Sequence, residues 1–127
     1  LDREGDPATE LAGYIRQKIE ISASFPEASR LFANEVMQGA PKILPILETD
    51  LRRLVAEKVA VIESWIADGK ISKTEPLHLI FSIWATTQHY ADFEAQMADL
   101  SPQKMPGLYT QAEGFLLPMY RKYLAVE

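Results

Sequence analysis

Residues 77–93, LHLIFSIWATTQHYADF, form an almost unbroken apolar run into which Trp84, Thr86, Thr87, Gln88, His89 and Tyr90 set polar groups. A segment this apolar belongs inside the protein, where each of those groups needs a hydrogen-bond partner or a bound molecule. Trp84 and Gln88 stand four apart and meet on one face of a helix, with Ala91 one turn on and small enough to leave room. A flat heteroaromatic ligand would stack on the indole, while the Gln88 amide, which both donates and accepts, reads an edge that does the same. The same two residues also suit a tryptophan packed in the core, with Gln88 satisfied by a neighbouring carbonyl or across a dimer interface. Residue types alone leave both readings open.

Metal and acid–base chemistry have less to work with. His78 and His89 lie eleven positions apart, which places them on one helical face but roughly 16 Å from each other, too far to share one ion. His89 with Asp92 at i+3 would make half a metal site; without a second pair of ligands nearby, an ordinary His–Asp hydrogen bond is the simpler expectation. Glu35, at helical spacing from Leu31 and Phe32, is either a carboxylate aimed at the same cavity or a surface partner for Arg30 or Lys42, and the surface role is preferred. There is no G-x-S-x-G, no glycine-rich phosphate loop and no cysteine, so nucleophilic, phosphoryl-transfer and thiolate-metal chemistry lack their apparatus. The expectation is a protein that is not an enzyme and takes no metal or cofactor.

The chain that must position these residues has 127 of them, 47% hydrophobic, which suits one domain over 1–127 with a core that needs no staples. Thirteen Lys and Arg against 18 Asp and Glu leave a formal charge of −5, the wrong sign for a surface that sits on phosphates. No apolar run long enough to span a membrane escapes interruption by polar residues, and the expected location is the cytoplasm. The polar LDREGDP start reads as the interior of a longer protein.

Proline and glycine punctuation predicts five helical segments and no strand. The first opens at Asp6-Pro7, with Asp6 capping and Pro7 at the first helical position, and runs to Phe25 with Leu11, Tyr14, Ile15, Lys18, Ile19 and Ser22 along one side. Pro26 starts a second, short helix that stops at Gly39. A third, amphipathic and about 40 Å long, runs from Pro41 to Asp68, with only the stem of Lys58 on its apolar side. The fourth carries the apolar run from Thr74 to Leu100 and packs centrally. The last contains Tyr109, Phe115, Met119, Tyr120 and Tyr123, with a bend expected at Gly114 and Pro118. Its aromatic stripe exceeds what one small core needs, and suggests that the last two helices of each of two subunits form a four-helix bundle with Phe115, Met119 and Tyr123 in the dimer interface.

The segments GYIRQKIEISASFPEASRLFANEVMQGAP, LVAEKVAVIESWIADGKI and EPLHLIFSIWATTQHYADF together resemble the C-terminal, effector-binding and dimerising region of TetR-family transcriptional regulators, most of all a pyrimidine-responsive type. The resemblance covers roughly residues 14–93; the tail from Ser101 does not visibly follow it. It implies an all-α domain that dimerises through a four-helix bundle and binds a small-molecule effector such as uracil or thymine, with Trp84 and Gln88 as ligand contacts. It also implies a homodimeric repressor that reaches operator DNA only through an N-terminal helix-turn-helix domain, which this chain does not contain. The main rival is a helical dimerisation module without a small-molecule pocket. A small helical enzyme using Glu35 or His89 is a third reading.

Overall fold

A computed structural model of the chain describes residues 1–39 and 44–126, the side chains of residues 44–48 excepted. Among these residues there are six α-helices, one 3-10 turn and no strand, so the all-α expectation holds.

Helix α1 (Pro7–Ser24) starts as its sequence dictates. Asp6 is in an extended conformation and its carboxylate accepts from the Thr9 backbone N–H at 3.1 Å and from the Thr9 hydroxyl at 2.9 Å, satisfying a donor that the first turn leaves open. Leu11, Ile15, Ile19 and Ser22 are buried and Tyr14 and Lys18 half-buried, the side predicted from the 3.6-residue period. Helix α2 (Pro26–Met37) follows Phe25 directly and buries nothing fully; Leu31 and Met37 are 72% and 74% exposed. Polar ties hold it instead, as Ser29 Oγ donates to Asp92 at 2.7 Å and Arg30 Nη1 to the Ala91 carbonyl at 3.0 Å.

Helix α3 (Leu44–Ala67) carries Ile62 and Trp65 into the core, both with no exposed surface. Its expected start at Pro41 lies outside the described residues. It ends on Gly69, where φ is +71° and the N–H of Lys70 reaches back to the Trp65 carbonyl at 2.9 Å, a closing bond that needs the left-handed conformation only glycine adopts without strain.

The fourth predicted segment is two helices, a correction to the single helix expected over Thr74 to Leu100. Helix α4 (Pro76–Asp92) stops at Phe93, whose φ of −117° is not helical, and α5 (Glu94–Leu100) starts afresh. The cause is tertiary. The Ala91 carbonyl, which an unbroken helix would offer to the N–H of Ala95, accepts from Arg30 of α2, and Asp92 accepts from Ser29. A 3-10 turn at Pro102–Lys104 then leads to α6 (Leu108–Leu124), which contains Pro118 and buries Ala112, Leu116, Tyr120 and Leu124 at successive fours.

Helix α4 is central, in contact with α1, α2, α3 and α6. Its Leu79, Ile80 and Ile83 meet Ile15 and Ile19 of α1, Ile62 and Trp65 of α3 and Leu116 of α6 in one apolar cluster. No described helix is long and apolar enough to cross a membrane.

Candidate functional site

Most polar groups of the apolar run are satisfied within the protein. Thr87, fully buried, donates to the Ile83 carbonyl at 2.6 Å, and Thr86 to that of Ser82 at 2.7 Å, the back-bonding by which a hydroxyl survives inside a helix. The Tyr120 hydroxyl of α6 adds bonds of 2.9 Å to Ser82 and 3.1 Å to Thr86. Tyr120 therefore points inward, so the aromatic stripe predicted for the last helix is not one face. Phe115 and Tyr123 remain 59% exposed and Met119 39%. Tyr109 turns to Glu94, donating at 2.9 Å, and burial together with that carboxylate pushes its phenol up to about 12.

His89 and Asp92 do not form the pair expected of them. The carboxylate is taken by Ser29, and the exposed imidazole stacks on Phe93 with ring centroids 4.8 Å apart. Among the described residues no group of histidines and carboxylates is placed to hold a metal. Glu35 is half-buried on α2.

Trp84 is different. It is half-buried on the stripe Leu77, Phe81, Trp84, Gln88 of α4, and with Leu77 and Phe81 it lines an apolar groove of about 600 Å³ whose opposite wall is Leu51, Val55 and Val59 of α3. Its indole N–H donates to the Tyr14 hydroxyl of α1 at 2.7 Å, which fixes the ring plane, and Phe81 lies beside it at 5.8 Å between centroids. Burial raises the Tyr14 phenol above its ordinary value, with the bond from Trp84 acting the other way. Gln88 is half-buried one turn on and makes no hydrogen bond with another described residue. It does not line the groove at Trp84. The protein thus orients one indole on the α3-facing side of α4, with the Gln88 amide one helical turn further along.

Three features here escaped sequence reasoning: the Tyr14–Trp84 bond, the placement of Lys58 against Tyr14, and the diversion of the Ala91 carbonyl. Tyr14 and Lys18 were already on one side of α1 by period, but nothing local pairs them with residues forty or seventy positions away.

A family model described as YcdC-like protein, C-terminal region, matches residues 1–125. The HTH-type transcriptional regulator RutR of Escherichia coli K12 is 48% identical over 91 residues, 72% of this chain and 43% of that protein. The regulator of the same name from Shigella flexneri gives the same figures of 48% identity over 72% of this chain. The chain spans 43% of the length of the curated relatives it matches.

Proposed function

Because the chain belongs to the TetR family, as the C-terminal region of a YcdC-like protein, we propose that it is the effector-binding and dimerisation domain of a transcriptional repressor that senses a pyrimidine such as uracil or thymine. The carrying observation is the indole of Trp84, held in plane by Tyr14 on the wall of an apolar groove, with the half-buried Gln88 one helical turn further along α4. An oriented ring costs a stacking ligand no ordering entropy on the protein's side. An amide with free donors and acceptor matches the alternating N–H and C=O edge of a pyrimidine dione. The relatives' name, HTH-type transcriptional regulator RutR, supports the regulatory part of this reading.

In this reading the protein is cytoplasmic and acts as a homodimer, joined through α4 and α6. It contacts operator DNA through a separate helix-turn-helix domain, and no step of its action is enzymatic. Linkage supplies the mechanism: an effector that binds one spacing of the two DNA-binding heads more tightly shifts the dimer towards it, by no more than that difference in affinity. Helix α4 is suited to carry the shift. One side of it bears Trp84 and Gln88, another contacts α6, and its C-terminal end is fastened to α2 by Arg30 and Ser29.

Replacing Gln88→Leu keeps the side chain's approximate shape but leaves the ligand's polar edge unpaired. Calorimetric titration of uracil into the intact protein is expected to show a loss of roughly 1 to 3 kcal/mol, five- to a hundred-and-fifty-fold in affinity. Unchanged affinity in that variant would remove Gln88 from the site. Absence of uracil and thymine binding by the unsubstituted protein would defeat the pyrimidine assignment and favour a plain dimerisation module.

A further inference from the structure

Nothing in the sequence between Pro76 and Ser101 asks a helix to stop at Phe93. The stretch holds no glycine and no internal proline, and Glu94, Ala95, Gln96 and Met97 are among the better helix formers. The break also lacks the groups that usually settle one. Phe93 is not left-handed, as a closing residue commonly is, but stands at φ −117° and ψ 27°, and no side chain caps the start of α5. Helical bonding nearly survives it: the N–H of Phe93 reaches the His89 carbonyl at 2.9 Å, and the N–H of Met97 reaches the Phe93 carbonyl at 3.1 Å, both at α-helical spacing. Between these two, and among the described residues, the N–H groups of Glu94, Ala95 and Gln96 make no bond to the carbonyls of Tyr90, Ala91 and Asp92.

Three backbone bonds are thus forgone, and two bonds from α2 stand in their place, Arg30 on the Ala91 carbonyl at 3.0 Å and Ser29 on the Asp92 carboxylate at 2.7 Å. The two sets are comparable in worth, so the broken and continuous forms lie close in free energy. The helix that supplies the side-chain bonds is the one that fully buries none of its residues. On the other side α6 takes part, because the Tyr109 hydroxyl donates at 2.9 Å to Glu94, the first residue of α5.

We infer that Ser29 and Arg30 are the latch of a two-state helix. While α2 is docked, α4 and α5 stay separate; when it lifts, Phe93 returns to about −63° and −42° and one helix runs from Pro76 to Leu100. That rotation at Phe93 carries Glu94 away from Tyr109, so the position of α2 is passed to α6. The coupling is reciprocal, and loosening the tie to Tyr109 favours the continuous helix as well. The latch does not depend on what occupies the groove at Trp84.

The test is amide hydrogen exchange, resolved to single residues, in the intact protein and in its Arg30→Met, Ser29→Ala and Tyr109→Phe variants. Removing Arg30 frees the Ala91 carbonyl for the N–H of Ala95, so protection of the Glu94, Ala95 and Gln96 amides should rise roughly tenfold. Ser29→Ala and Tyr109→Phe, which each remove one weaker tie, should raise it about two- to threefold. Protection in the middle of α4, at Ile83 and Thr87, should not change. Unchanged or lower protection at Ala95 in Arg30→Met would overturn the latch, and so would a general loss along α4, which would make the ties ordinary packing bonds. No gain in Tyr109→Phe would overturn the coupling to α6. Should Arg30→Met fail to fold, Ser29→Ala decides the matter by the same amides, and no gain there overturns the proposal.

Discussion

Trp65→Ala is expected to destabilise the protein by about 3 to 5 kcal/mol. Trp65 is wholly buried at the C-terminal end of α3, where it packs in the cluster shared by α1, α4 and α6. Its indole N–H donates to the Arg3 carbonyl at 3.1 Å, tying the segment before α1 to the end of α3. Truncation would leave a cavity that four helices cannot close together, and a backbone carbonyl without its donor. Thermal unfolding followed by circular dichroism, at fixed protein concentration, should fall by roughly 12 to 20 °C. Trp65→Phe should cost far less, on the order of 1 to 2 kcal/mol, since it keeps most of the volume and loses the hydrogen bond. A small shift for Trp65→Ala would mean that this end of α3 is not part of the cooperative core.

If the proposed homodimer joins through α6, converting the outer face of that helix to charge, with Phe115→Glu and Met119→Glu together, is expected to dissociate it. Phe115 and Tyr123 are 59% exposed and Met119 39% in the single chain, more apolar surface than an isolated fold gains from displaying. Met119 lies between two shallow clefts, of about 450 and 400 Å³, that run along the contact of α4 with α6. A ridge flanked by depressions suits a second copy of the same surface, and twofold symmetry doubles every substitution. Four buried carboxylates across one interface should weaken association by roughly 4 kcal/mol or more, about a thousandfold. Sedimentation at micromolar concentration should then find monomers where the unsubstituted protein gives dimers. A dimer that survives both substitutions would place the interface elsewhere.

The features legible in the sequence are those set by local chemistry. Asp6-Pro7 announces the first helix because a carboxylate cap and a fixed φ act within three residues. Gly69 announces the end of α3 because a left-handed residue is needed at that one position. The apolar run of α4 indicates burial, and α4 is indeed central. The break at Phe93 was not legible, since the residues that cause it, Ser29 and Arg30, lie more than sixty positions away. The inward turn of Tyr120 was equally hidden: its partners are on α4, and a period-based reading groups it with Phe115 and Tyr123. Trp84 and Gln88 could be placed on one face by spacing, but what orients Trp84 is Tyr14, and what charges its neighbourhood is a lysine from α3 that the amphipathic pattern treats as a mere stem.

The most direct measurement is a crystal structure of the intact protein grown with uracil. The expected result is the ring stacked on the Trp84 indole at about 3.5 to 4.0 Å, its N–H and C=O edge paired with the Gln88 amide. The Tyr14–Trp84 hydrogen bond should be retained in that complex. Uracil bound elsewhere in the fold, or a cavity that stays empty at saturating uracil, would contradict it.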